Sequence, residues 1–352
     1  MNNKKIIVVG TSGKGGIKSV IESYEKSGFY SKNNMIFIAS CSDTSLLKRI
    51  YLSLKAFIII LFYTLAGKVT LIHMHMSMRG SFFRKLIIFH ISKLRKTPVI
   101  LHLHGSEFKV FYNNSSTVLR KMIKYLFDSV SCVVVLSEMW KSYLSEITDA
   151  KIEVINNFVP DIYCIPDKDK YRYNILFLGE FGKRKGIYDL LDVFPDIASA
   201  CPNVLLNCAG NGEIENVNKI IYEKKLSKNV KNHGWISGNK KKSIMNESSI
   251  FVLPSYNEGL PMSIIEAMSC SMAIVSTNVG GISELVNHNN GYLIEAGDKE
   301  KLKSSIIKLL TMEHVQFDTK CGQSRLMYEE NYSPSASLQK MKYVYQSAGV
   351  KP

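Results

Sequence analysis

Residues 257–268 read N-E-G-L-P-M-S-I-I-E-A-M. Two carboxylates, Glu258 and Glu266, stand on either side of a Gly-Leu-Pro turn that opens an apolar helix. Pro261 suits the first position of that helix, where its missing N–H costs nothing. The helix then presents free N–H groups and the positive end of a dipole, a place for a phosphate. Glu258 sits in the loop before that place, and Glu266 projects from the helix behind it. A ligand carrying both a phosphate and hydroxyls is held at its charge by the helix end and at its hydroxyls by the two carboxylates.

The turn joins a short apolar run, Ile250–Leu253, to the helix, and the same joint recurs on both sides of it. In the first half Ile6–Val9, Met35–Ala39, Val69–His73, Val99–Leu103, Cys132–Leu136 and Ile152–Ile155 read as strands. Helical patterns lie between them near 16–28, 45–66, 80–96, 117–127 and 138–146. A polar, proline-bearing stretch, Asn156–Arg172, reads as a linker. The alternation then restarts with Asn174–Leu178, Val204–Cys208, Ile250–Leu253, Ala273–Ser276 and Tyr292–Ile294, and with helices near 186–199, 213–226, 239–247, 262–270 and 299–312. Helical segments at 319–330 and 335–347 follow. Strands alternating with helices predict an α/β chain of two doubly wound parallel sheets. The expected divisions are 1–165, 166–330 and a terminal helix, 331–352.

At 352 residues the chain is long enough for two such domains, and 46% hydrophobic with 21% charged residues is ordinary for a globular protein. Seven scattered cysteines without a C-x-x-C pair argue against a disulfide framework and for a reducing compartment. MNNKKIIVVG runs straight into a strand, so no signal peptide is expected. The longest apolar run, Ala56–Gly67, is too short to span a bilayer, which takes about 20 residues; a buried or interfacial helix is expected there. The net charge is +15, and residues 1–165 carry 22 Lys and Arg against 10 Asp and Glu. A basic first half implies an anionic partner for that half, a nucleic acid or an anionic membrane.

The E-x7-E pattern of Glu258 and Glu266 resembles the signature of retaining, nucleotide-sugar-dependent glycosyltransferases of family 4. Their GT-B architecture sets two Rossmann-like domains face to face across a cleft, with the last helix commonly crossing back to the first domain. L-F-L-G-E-F-G-K-R-K-G (176–186) resembles the family's strand-Gly-Arg-Leu-x-x-x-Lys-Gly motif. Gly179 lets backbone approach a ligand closely. The resemblance gives Lys185 the donor pyrophosphate, where a cation stabilises the leaving nucleoside diphosphate. The motif arginine is replaced by Glu180, which cannot bind phosphate, so Arg184 or Lys183 is left to supply a second cation. C-A-G-N-G-E (208–213) and H-G-W (233–235) match places that approach base and ribose, Gly234 and Trp235 among them. By resemblance Glu266 accepts from ribose hydroxyls and Glu258 holds the transferred sugar, with the N–H groups of Gly259 and Leu260 facing sugar and phosphate. T-N-V-G-G-I-S-E-L-V (277–286) and N-G-Y-L-I-E-A-G-D (290–298) resemble further family segments and read as fold markers.

In the first half, G-T-S-G-K-G-G-I-K (10–18) lacks the Lys-Ser/Thr pair after its second glycine and is no ATP-binding P-loop. The Gly15-Gly16-Ile17 turn instead resembles the first loop of family 4 enzymes, which approaches the donor phosphate. L-H-L-H-G-S-E-F (101–108) places His104 where the family's histidine nears the reacting sugar. H-M-H (73–75) and H-L-H (102–104) have neither the Asp or Glu partners of a divalent site nor the Asp-x-Asp usual in GT-A enzymes, so no catalytic metal and no other cofactor is expected. Arg79–Lys96 mixes bulky apolar residues with six cations, as an interfacial helix does, or a crossover helix with a solvated basic face.

Together these readings imply a retaining hexosyltransferase without a metal. It would take a hexose or N-acetylhexosamine from a nucleoside diphosphate, UDP foremost, and pass it to a polyprenyl-diphosphate-linked sugar. The setting implied is bacterial O-antigen or capsule assembly at the inner face of the plasma membrane, with an anionic membrane surface and no nucleic acid as partner. A GT-B sugar-nucleotide epimerase and a basic nucleic-acid-binding protein are the rival readings.

Overall fold

The computed structural model of the protein describes residues 4–13, 16–105, 107–161 and 171–350. It divides into two compact units: Met1–Pro160 with Pro334–Pro352, and Asp161–Ser333. Gly15 of the first glycine turn and most of the expected linker (162–170) lie outside the described residues.

The first unit is built on β1 (Lys5–Gly10), β2 (Met35–Ala39), β3 (Val69–Met76), β4 (Val99–Leu103), β5 (Cys132–Val135) and β6 (Ile152–Val154), in the order β2-β1-β3-β4-β5-β6. All its pairings are parallel. Its helices are α1 (Gly16–Lys26), α2 (Phe29–Lys32), α3 (Leu46–Leu65), α4 (Gly80–Lys93), α5 (Phe108–Asn113), α6 (Thr117–Ser129) and α7 (Glu138–Ser145). In the second unit β7 (Asn174–Leu178), β8 (Leu205–Ala209), β9 (Val230–Asn232), β10 (Ile250–Leu253), β11 (Ala273–Thr277) and β12 (Gly291–Ile294) run β12-β11-β10-β7-β8-β9, again parallel. Around them lie α8 (Ile187–Ala200), α9 (Ile214–Glu223), α10 (Gly238–Asn246), α11 (Met262–Ser269), α12 (Lys299–Leu310) and α13 (His314–Met327). A terminal helix, α14 (Pro334–Ser347), belongs with the first unit. Helices cover both faces of a parallel sheet, so its strands are continuous apolar runs; Ile7, Val8 and Val9, like Ile175, Leu176 and Phe177, are fully buried.

Each sheet reverses its order once, between β1 and β3 in the first and between β7 and β10 in the second. Two loops leave such a point in opposite directions at the carboxyl ends of the strands, and the crevice between them is where open α/β sheets bind ligands.

Arg79–Lys96 contains α4, which packs Phe82, Ile88 and Phe89 inward as a crossover helix does, while Phe83, Ile87 and Leu94 are exposed. Lys85 is no solvated cation. It is buried, its Nζ donates to Ser40 Oγ at 3.0 Å, and burial pushes its ammonium down to about 7. An exposed apolar face also belongs to α3. Ala56, Ile60 and Thr64 pack inward, while Leu47, Tyr51, Leu54, Ile58, Phe62 and Leu65 stand at helical spacing on the opposite side, each at least half exposed. Among the described residues no helix is long and apolar enough to cross a membrane. The six-residue α5 carries no helix signal of its own; Phe108, fully buried and 5.6 Å from the Phe127 ring, holds it in place.

Gly186 couples the two loops at the second switch point. Its φ is +72°, and a Cβ there would lie 1.9 Å from the Pro254 carbonyl oxygen. Gly186→Ala should therefore lower stability by about 2 kcal/mol or more. A urea midpoint unchanged within error would show that the loops part without cost.

Candidate active site

The least exposed ion pair among the described residues of the second unit lies at its switch point. The loop after β7 carries Lys185, and the loop after β10 carries Glu258. Lys185 Nζ meets Glu258 Oε1 at 2.5 Å, and Ser255 Oγ donates to the same oxygen at 2.7 Å. Both side chains of the ion pair are nearly covered, 14% and 6% exposed. Sequence reasoning placed these residues on the same donor but not against each other. It also missed Ser255, although Ser-x-x-Glu is a pattern in which serine and glutamate pair locally.

Backbone contacts explain why the pair is held. The Tyr256 N–H donates to the Arg184 carbonyl at 2.8 Å, and Thr277 Oγ1 donates to the Ser255 carbonyl at 2.5 Å. Gly281 N–H donates to the Gly259 carbonyl at 2.7 Å, and at Gly280 (φ +57°) a Cβ would sit 1.9 Å from the Glu258 carbonyl oxygen. The segment expected only as a fold marker thus backs the Glu258 loop directly. Gly179 lies beside the stem of Lys185, and a Cβ there would be in ordinary contact with Lys185 Cγ at 3.5 Å. Gly210 N–H donates to the Gly234 carbonyl at 2.9 Å, which draws Gly234 beside the ends of β7 and β8. Trp235 is 58% exposed.

Pro261 is displaced from its expected position. With φ −71° and ψ 119° it is extended and caps α11 from outside, so the helix begins at Met262. Leu260 is buried beside it, and Gly259 is half-buried. Glu266 lies one turn into α11, where Lys241 Nζ of α10 donates to Oε1 at 2.6 Å. That lysine stands in the K-K-K run 240–242, which offered a signal by charge alone. Arg184 reaches back to Glu180 Oε2 at 3.2 Å and to the Asn257 carbonyl at 3.4 Å. The residue that replaces the motif arginine therefore engages the cation expected to stand in for it.

The first unit places the other two candidates. Gly16 opens α1, exposed, with nothing within 4 Å of where a Cβ would lie. His104 follows β4, and its Nε2 lies 2.8 Å from His75 Nδ1. It is one of four histidines on adjacent strands, with His73, His75 and His102. Burial holds His73 and His104 near 3 and lowers His75 and His102 as well, so all four imidazoles are neutral at physiological pH.

The buried ion pair makes a stability prediction. Lys185→Met leaves the Glu258 carboxylate without its cation and should cost about 3 kcal/mol in urea unfolding. Adding Glu258→Gln to that variant should recover a substantial part of the loss. Strictly additive single and double variants would mean that the two side chains do not interact.

Residues 165–325 match the family described as Glycosyl transferases group 1, and residues 36–161 match Glycosyltransferase Family 4. A capsular polysaccharide biosynthesis glycosyltransferase, CapM of Staphylococcus aureus, is 28% identical over 55% of this chain and 51% of its own. Among solved structures, the sucrose-phosphate synthase of Thermosynechococcus elongatus superposes with a TM-score of 0.81 over 97% of this chain and 98% of its own, at 15% identity. Anabaena HepE in complex with UDP and glucose superposes with a TM-score of 0.73 over 97% and 100%, at 16% identity. At these identities the structural likeness is one of fold. Two parallel six-stranded α/β units and two family matches that together span most of the sequence lead to one assignment: the chain belongs to the group 1 glycosyltransferases of the GT-B fold.

Proposed function

We propose that this glycosyltransferase moves a hexose or N-acetylhexosamine, with retention, from a UDP-sugar to a polyprenyl-diphosphate-linked acceptor in bacterial surface polysaccharide assembly. The observation that carries the reading is the Lys185–Glu258 pair at the switch point of the second unit. Lys185 has three N–H donors and gives one to Glu258, which leaves the others for a diphosphate. Glu258 accepts from Lys185 and Ser255 at one oxygen, Oε1, and its other oxygen is available to sugar hydroxyls. A fixed cation beside the leaving diphosphate stabilises the charge that develops on it, and a carboxylate beside the sugar stabilises an oxocarbenium-like centre. Glu266, on the helix that follows the Glu258 loop and held by Lys241, serves the ribose hydroxyls in this reading. The UDP and glucose of HepE and the capsular role in CapM's name support the choice of donor and setting.

The lipid-linked acceptor rests on α3. Its exposed apolar stripe is flanked by Lys48, Arg49 and Lys55, and Arg95 donates to the Leu65 carbonyl at its far end. A helix with an apolar face and cationic edges lies in the plane of an anionic bilayer surface, its apolar side among the acyl chains. The stripe supports a peripheral position on the cytoplasmic face, where polyprenyl diphosphates present their sugars. The first unit's positive charge then serves the membrane and not a nucleic acid.

A panel of UDP- and GDP-sugars with a polyprenyl-diphosphate acceptor, read by NMR of the product, should give transfer from a UDP-sugar with the anomeric configuration kept. Glu258→Gln should lower kcat at least about 100-fold. Inversion, or full turnover by Glu258→Gln, would end the proposal. For the membrane, Leu54→Glu with Ile58→Glu should abolish sedimentation with anionic vesicles and leave transfer to a soluble acceptor analogue. Unchanged sedimentation would remove α3 from the interface.

A further inference from the structure

Four of the first unit's histidines, His73, His75, His102 and His104, share one face at the carboxyl ends of β3 and β4. His75 and His102 are direct partners in the parallel register, and His73 precedes His75 by one pleat. One ring nitrogen from each of His73, His75 and His102 lies within 4.8 Å of the other two. Their rings are mutually close, with centroids 4.5, 5.0 and 5.4 Å apart. His75 Nε2 and His102 Nε2 are buried and have no hydrogen-bond partner among the described residues. Buried polar nitrogens left without a partner are costly and rare, and two of them in one cluster of imidazoles call for a ligand.

We propose that His73, His75 and His102 form a binding site for one borderline transition-metal dication of the Zn²⁺ class. Three neutral imidazoles without a carboxylate select zinc, cobalt, nickel or copper over magnesium, calcium or manganese. Outer contacts already orient the ligands. Tyr345 of α14 holds His73 Nδ1 at 2.7 Å, and His104 Nε2 holds His75 Nδ1 at 2.8 Å, so Nε2 is the free ligand atom of each ring. An ion between the rings takes the place of the 3.2 Å contact of His73 Nε2 with His102 Nδ1. The site belongs to the first unit and is independent of how Lys185 and Glu258 handle the donor.

The test is a cobalt titration of the tag-free full chain after chelator treatment, followed by visible absorption. Saturation at one Co²⁺ per chain, with the intense bands of a low-coordinate site and displacement by Zn²⁺, is the expected result. His75→Asn with His102→Asn should lose those bands, and His288→Ala, at an exposed histidine, should keep them. Tyr345→Phe should keep the stoichiometry and weaken binding about 10-fold or more. This variant reads the site even where the double variant fails to fold. Absence of saturable binding, a weak six-coordinate spectrum, or affinity unmoved by Tyr345→Phe would each overturn the assignment.

Discussion

One buried ion pair organises the second unit. Lys185 and Glu258 come from loops that leave the sheet at its point of reversal, and each is nearly closed to solvent. Removing two charges from water is costly, and only close contact with further hydrogen bonds offsets it. The surrounding loops supply that through Ser255, Thr277 and the backbone of Arg184, Tyr256, Gly259 and Gly281. The glycines at 186 and 280 follow from the same constraint, because the backbones they touch leave no room for a side chain. A pair held this firmly presents its charge to a ligand already oriented, and little rearrangement is left for the moment of reaction.

The first unit solves its burial problem by the opposite means. It keeps four imidazoles neutral, stacks them, and lets one lysine sit on a serine hydroxyl beneath α4. The two units share a topology and differ in electrostatics at the same end of the sheet. Fold and chemistry are therefore separable, the second residing in a handful of side chains at strand ends.

Much of this was legible in the sequence. Strand runs such as Ile6–Val9 and Ile250–Leu253 stand out because strands buried on both faces are apolar at every position. The loops carrying Lys185 and Glu258 were recognisable from glycine and proline placement. What could not be read was mutual contact. Lys185 and Glu258 are far apart in sequence, and only strand order, which periodicity does not encode, makes them neighbours. Arg184's return to Glu180 depended on loop direction, and Lys241's approach to Glu266 on the packing of two helices. The solvated basic face expected of α4 omits Lys85, which is charged by composition and buried by position. The same composition-based view left α3 undecided, since an apolar run looks alike whether its far side meets protein or not.

The membership of α14 in the first unit has a consequence for biosynthesis. Met341, Val344 and Tyr345 are buried there, and Tyr345 lies against Phe29 and His73. The residues that complete this unit are translated after the whole of the other one. On the ribosome, where domains ordinarily mature in the order they emerge, the leading half must wait with an open seam while the trailing half folds. The chaperone-dependent interval is thus set by the length of the second unit, and premature termination anywhere before Tyr345 harms the part made first.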